Sequence, residues 1–207
     1  MNRTLGRTDV REHRNNGEVE VLAETKRPAT PEEEYVKGGR FWGVLRIAMG
    51  WTFLWAFLDK GFGLGFATGR NPETGAIAFF SKDAWIHGGS PTDGVLIYAL
   101  HGPFKGLYDG LAGQTWVEWV YMASMLLIGL GLLLGIGTRL AALGGIVWMT
   151  IFYTAIAIWP QNNPFLDEHV VYAIVLAGIA YVAAGRYLGL GRQMEKIGFV
   201  KRHPVLW

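Results

Sequence analysis

The chain has 207 residues, of which 51% are hydrophobic and 17% charged, and its formal net charge is only +2. This balance is typical of a membrane protein, and it does not indicate nucleic-acid binding because the cations are concentrated towards the two ends of the chain. The absence of cysteine excludes disulfides, thiol nucleophiles, iron–sulfur clusters and covalently attached c-type haem.

The first forty residues are polar, carry charges of both signs and contain Pro28 and Pro31. They lack the apolar central region and the small-residue cleavage site of a secretory signal peptide. We therefore expect residues 1–40 to form a disordered cytoplasmic tail. Within that tail, Thr30 and Pro31 match the N-cap and the first position of a helix that leads towards the first apolar segment.

Four later segments contain the roughly twenty mainly apolar residues that a helix needs to cross a bilayer. They cover residues 41–58, 116–136, 140–159 and 169–188. Small residues recur in them at four-residue intervals, as at Gly131 and Gly135, and such pairs let helices pack closely in lipid. The predicted fold is therefore all-α, a polytopic membrane four-helix bundle within residues 41–190, followed by a cytoplasmic C-terminal tail at 191–207.

The distribution of Lys and Arg predicts how the bundle is oriented. Both terminal tails are rich in these residues, the turn between the second and third segments carries Arg139, and the turn between the third and fourth has neither. By the positive-inside rule, both termini are expected in the cytoplasm of a bacterium, with the bundle in its plasma membrane. Residues 61–115 then form a long extracytoplasmic loop, which should carry structure of its own.

This topology brings ionisable residues to one predicted extracytoplasmic rim. The first segment ends at Lys60, the second begins near Glu118, and the fourth begins at Asp167 and His169. Because charged groups at membrane depth are costly, they indicate function by default. We expect these four residues to form one polar cluster, closed over by the loop at 90–93. The alternative stays open that they only complement helix dipoles or reach towards water.

Two other charged residues favour a structural role. Glu168 begins an apolar segment, where a carboxylate complements the helix dipole. Arg46 lies inside the first segment near its cytoplasmic end, where its side chain can extend to the inner headgroups or bind an anionic lipid. His169 is the only histidine close to an apolar segment, so we expect neither haem nor a metal site in this chain alone.

Four stretches of the sequence resemble the DoxX/DoxD family of bacterial four-span membrane proteins. They are LRIAMGWTFLWAFLDK, GSPTDG, LLIGLGLLLGIGTRLAALGG and NPFLDEHVVYAIVLAG, and the resemblance covers about residues 38–192. The sequence is most similar to the actinobacterial branch, often labelled as the large subunit of a thiosulfate:quinone oxidoreductase. The resemblance implies a plasma-membrane subunit that oxidises thiosulfate to tetrathionate and passes the electrons to a quinone.

That function assigns roles to residues at the rim. The candidate catalytic residues are Lys60, Asp167 and His169. The candidate contacts of a quinone, or of the polar rim site, are Glu118, Trp159 and Tyr172. Whether the chain is an enzyme stays open, because electron transfer needs a redox centre and the sequence offers no convincing ligands for one.

The alternative is a non-catalytic accessory or assembly subunit of a respiratory membrane complex. Lateral helix contacts would then hold the chain to partner subunits or to further copies of itself. A transporter is disfavoured, since no apolar segment is interrupted in its middle by proline and none carries an acidic residue at mid-depth.

Overall fold

The computed structural model describes residues 9–15, 18–24, 31–71 and 73–203. An antiparallel hairpin comes first, formed by β1 (Asp9–Asn15) and β2 (Glu18–Glu24). The α-helices that follow are α1 (Pro31–Phe62), α2 (Lys105–Tyr108), α3 (Thr115–Leu134), α4 (Thr138–Phe152), α5 (Glu168–Tyr181), α6 (Gly191–Met194) and α7 (Gly198–Arg202). The hairpin belongs to a compact unit at residues 1–38, and a second unit covers residues 39–207.

The described part of the N-terminal region contains the hairpin of β1 and β2. Val19 and Val21 alternate with glutamates in β2, which is the period of a strand, and Asn16-Gly17 is a dipeptide favoured between hairpin strands. This short-range pattern accounts for the hairpin. α1 begins at Pro31, in agreement with the predicted helix start.

Three helices are long and apolar enough to cross a membrane. They cover Gly38–Phe62, Thr115–Leu134 and Thr138–Ala157, the last being α4 continued by a π-helical turn. This confirms three of the four predicted segments as helices of crossing length, and it indicates that the chain resides in a lipid bilayer.

The fourth predicted segment, residues 169–188, is not one helix. α5 ends at Tyr181, after 14 residues, and a 3-10 turn follows at Ala184–Arg186. Ala183 adopts a left-handed backbone with φ of 49°, which stops the helix. The residues that follow are small or apolar because they pack against other helices: a side chain added at Gly185 would meet Thr138 of α4.

Glycines bring the long helices into backbone contact. A Cβ atom added at Gly129 of α3 would lie 2.6 Å from the backbone nitrogen of Leu54 in α1, and one at Gly50 of α1 would lie 2.7 Å from the nitrogen of Leu133. A Cβ at Gly145 of α4 would approach Leu176 of α5 to 2.9 Å. Such close approach is how membrane helices gain packing energy without a hydrophobic driving force.

Arg46 is fully buried inside the bundle. Its guanidinium donates hydrogen bonds to the carbonyls of Leu132 and Leu133 at the end of α3, and to those of Tyr187 and Leu188 beyond α5. The prediction that this side chain extends to headgroups is therefore wrong. It fails because the carbonyls at the end of α3 and in the turn after α5 lie close to Arg46 and accept its hydrogen bonds inside the bundle.

The connection between α1 and α3 consists of short turns of helix fixed to the bundle. It contains Trp85–His87, a π-helical Gly94–Ala99, and α2 continued by Asp109–Leu111. The hydroxyls of Tyr108 and Thr154 share a hydrogen bond of 2.6 Å, which ties this connection to the end of α4.

Candidate functional site

A cavity of about 460 Å³ lies where α4 ends and α5 begins. Its walls come from His101 in the connection, from residues 156–157 and 159–163 after α4, and from residues 166–169 at the start of α5. We call it the rim cavity. Its lining mixes ionisable, amide and apolar side chains, as binding sites for small polar molecules do.

Asp167 and His169 form a side-chain hydrogen bond in the wall of the rim cavity. Asp167 is the N-cap of α5, and its Oδ1 accepts a hydrogen bond from the Val170 N–H at 3.2 Å. Its Oδ2 lies 2.5 Å from His169 Nδ1, and both side chains are only 15% exposed. A carboxylate that holds Nδ1–H leaves Nε2 of a neutral imidazole as an acceptor. The pair is therefore arranged for proton transfer at Nε2.

Contacts with neighbouring residues hold Asp167 and His169 in position. The ring of Phe152 in α4 lies 5.8 Å from the ring of His169. Tyr153 donates its hydroxyl to the carbonyl of Phe165 at 2.8 Å, which holds the turn before α5 against α4. The backbone N–H of His101 donates to the carbonyl of Ala155 at 3.2 Å and brings this third ionisable residue to the cavity.

His101 was not among the predicted site residues. Its position in the connection gives no periodic or spacing signal. Only the hydrogen bond between His101 and the end of α4 reveals that it lies beside Asp167 and His169.

The other predicted site residues are distributed differently. Trp159 lines the rim cavity, whereas Tyr172 lies on the exposed surface of α5 and does not line it. Lys60 and Glu118 are partly buried, line neither of the two cavities, and form no ion pair or hydrogen bond with the described part of the chain. The predicted four-residue cluster is thus reduced to Asp167 and His169, whose contact is local to the start of α5.

A second cavity, of about 320 Å³, lies between the connection and the helices α3 and α4. Its walls are mainly apolar and include the aromatic side chains of Trp116, Tyr121, Trp148 and Phe152, so we call it the aromatic cavity. Pro91 and Thr92 also line it. The loop at 90–93 therefore covers this cavity rather than the rim cavity, contrary to the prediction.

Phe152 connects the two cavities. Its side chain lines the aromatic cavity, and its ring lies next to His169 of the rim cavity. Ala155 lines the aromatic cavity and Ile156 the rim cavity, so the turn that continues α4 separates them. Within the part of the chain that the structure describes, no three His, Asp or Glu side chains are grouped to hold a metal ion.

Comparison of the chain with protein-family models, with curated proteins and with solved structures finds no match. The resemblance to the DoxX/DoxD family therefore depends on the sequence stretches quoted above, and the site is interpreted from its own chemistry.

Proposed function

We propose that this chain is a membrane subunit of quinone-linked electron transfer, which binds a quinone headgroup in the rim cavity. The observation that supports the proposal is the hydrogen bond between Asp167 and His169 in the cavity wall, with its 2.5 Å contact. Reduction of a quinone takes up two electrons and two protons. When protonated, the imidazole of His169 can donate its Nε2–H to a quinone carbonyl and pass that proton to the reduced quinone, while Asp167 stabilises the protonated ring; when neutral, its Nε2 can accept a proton from the hydroquinone hydroxyl in the reverse direction.

The aromatic cavity supports the same proposal. A membrane quinone joins a polar ring to an apolar isoprenoid chain, and here a polar and an apolar cavity meet at Phe152. The electrons come from a redox partner subunit or, as the DoxX/DoxD resemblance implies, from thiosulfate. Two thiosulfate ions then give one tetrathionate and two electrons, so this chain contributes quinone binding and proton exchange.

A second candidate is a non-catalytic accessory subunit. It is favoured by Glu118 and Lys60, which are partly buried and form no salt bridge with another described residue; the charge of Lys60 interacts only at longer range with Asp59. Partly buried charges without a salt bridge within their own chain are available to pair with another subunit. In this function the rim cavity would be a packing site, and loss of the Asp167–His169 pair would affect assembly rather than quinone binding.

In the proposed topology α5 completes a fourth crossing and both termini are cytoplasmic. Its 14 residues cover about 21 Å, and the apolar turn after Tyr181 covers the remaining depth of a core about 30 Å thick.

Because the chain has no cysteine, single cysteines report the topology directly. We expect Lys82→Cys to react with an impermeant maleimide added to intact cells, and Lys196→Cys to react only after permeabilisation. Labelling of both from outside would contradict the fourth crossing.

Quinone binding tests the site itself. The full-length chain in detergent would be titrated with a short-chain, water-soluble quinone by calorimetry. We expect His169→Ala and Asp167→Asn to weaken binding about tenfold or more, because each removes a hydrogen bond that involves a charged group. His87→Ala, which removes an exposed histidine that does not line the rim cavity, should have little effect.

The two candidate functions predict different outcomes. Unchanged quinone affinity in His169→Ala would contradict the proposed role of the pair. If the wild-type chain binds no quinone, but Lys60→Gln and Glu118→Gln reduce the recovery of a co-purifying membrane subunit, the accessory function takes its place.

A further inference from the structure

The segment that follows α5 is folded against one end of the helix bundle. The N–H of Leu190 donates to the carbonyl of Leu134, the last residue of α3, at 2.9 Å. Arg46 of α1 binds the carbonyls of Tyr187 and Leu188, and Val200 of α7 is buried. Residues 183–203 are therefore fixed beside the end of α3 and the first turns of the apolar part of α1, Gly38–Phe62, which is a membrane surface if these helices cross the bilayer.

The outer side of this segment is strongly cationic. Four basic side chains are exposed, those of Arg192, Lys196, Lys201 and Arg202. The single acidic residue of the segment, Glu195, lies 2.5 Å from Arg186 and is neutralised by it. None of the four exposed cations forms an ion pair with another described residue. We call these four residues the basic surface.

Apolar side chains are exposed within the same segment. Phe199 is 66% exposed, and Leu188, Leu190 and Ile197 also face outwards. In water this exposure would be unfavourable, at about 25 cal/mol for each Å² of apolar surface. Cations mixed with exposed apolar side chains, beside the ends of membrane helices, are the features of a segment that lies in the lipid–water interface.

We infer that the basic surface binds the headgroups of anionic phospholipids in the adjacent leaflet, with Ile197 and Phe199 inserted among the acyl chains. Lys and Arg side chains match the charge and hydrogen-bonding capacity of phosphate oxygens. The exposed apolar residues favour a lipid over an acidic protein segment, because a bilayer satisfies both the cations and the apolar side chains. This inference does not depend on quinone binding at the rim cavity.

Native mass spectrometry of the full-length chain tests it. Protein released from nanodiscs of equal parts phosphatidylglycerol and phosphatidylcholine should retain mainly phosphatidylglycerol. The double variant Lys196→Gln/Lys201→Gln should reduce the retained phosphatidylglycerol severalfold, since each lysine near an anionic surface contributes about fivefold in binding. Its matched control is Lys82→Gln/Lys105→Gln, which removes the same charge from exposed lysines of the connection between α1 and α3 and should retain phosphatidylglycerol normally.

A salt titration of the wild-type chain gives a second measurement that does not depend on how well a variant folds. The preference for phosphatidylglycerol should weaken as salt screens the surface charge. Equal retention of the two lipids by the wild type, or an unchanged preference in the variant of the basic surface, would overturn the inference. Loss of a co-purifying protein from that variant, with lipid retention unchanged, would show that an acidic protein occupies the surface instead.

Discussion

Replacing Arg46 by leucine is expected to lower the free energy of unfolding by at least about 3 kcal/mol. Leucine is apolar and suits a membrane helix, so a lipid-facing position would tolerate it. The guanidinium, however, is fully buried and supplies hydrogen bonds to carbonyls of α3 and of the turn after α5. Without it these carbonyls lose a charged donor, and two elements that it holds together become free to separate.

The matched control is Arg40→Leu, which removes an exposed arginine from the same helix and should change stability little. Arg46→Lys should be intermediate, because a single ammonium group cannot reproduce the planar fork that reaches both sets of carbonyls. Denaturant unfolding in detergent micelles, followed by tryptophan fluorescence, measures all three variants. Equal stability of Arg46→Leu and Arg40→Leu would show that the buried guanidinium does not hold this end of the bundle together.

Arg46 also shows why the contacts of a buried charged side chain could not be predicted from the sequence alone. Hydropathy reports that an arginine interrupts an apolar segment, and the usual solution is for the side chain to reach the headgroups. The actual partners are more than 80 residues away in the chain, at Leu132 and Tyr187. They are backbone carbonyls, which every residue possesses, so no side-chain pattern identifies them. Only the tertiary arrangement places the end of α3 beside Arg46.

The apolar segments were predictable where hydropathy and helix geometry agree. Residues 116–136 and 140–159 were expected, and helices are found at Thr115–Leu134 and Thr138–Ala157. The last segment was misjudged because residues 182–190 are mostly small or apolar without continuing α5. The small residues among them pack closely, as at Gly189, where an added Cβ would lie 2.9 Å from the Arg46 guanidinium. Composition alone does not distinguish a lipid-facing helix from a buried turn.

The candidate site, like the fold, was predictable only in part. Asp167 and His169 are two residues apart, so their contact follows from local helix-start geometry. Lys60 and Glu118 were joined to them only by the argument that all four lie at one end of the bundle. Sharing an end does not fix which side of a helix a residue occupies. His101 requires knowledge of how the connection folds back onto α4, which no local rule provides.

Asp59 lies in the last turn of α1 and forms hydrogen bonds there. Its carboxylate accepts hydrogen bonds from the N–H groups of Phe66, Ala67 and Thr68, at 3.1, 2.8 and 2.9 Å, and is only 2% exposed. Its backbone carbonyl accepts from the N–H of Gly63 at 2.7 Å, where α1 ends. One residue therefore both closes the helix and shapes the start of the connection.

Asp59→Ala is expected to destabilise the chain by at least about 3 kcal/mol, because it leaves three N–H groups without their charged acceptor. Asp59→Asn should lose less: one amide oxygen can still accept from Ala67 and Thr68, but the amide nitrogen would face the N–H of Phe66. Asp83→Ala, which removes an exposed carboxylate from the same connection, is the control and should stay within about 0.5 kcal/mol of wild type.

Amide hydrogen exchange at residues 66–68, read together with denaturant unfolding, separates a local from a global effect. Faster exchange there in Asp59→Ala is the expected result, since these amides lose their acceptor whether or not the helices separate. Protection equal to wild type at all three amides would show that the carboxylate does not hold this turn, and that other contacts of the connection, such as those of Tyr108 and His101, fix it to the bundle.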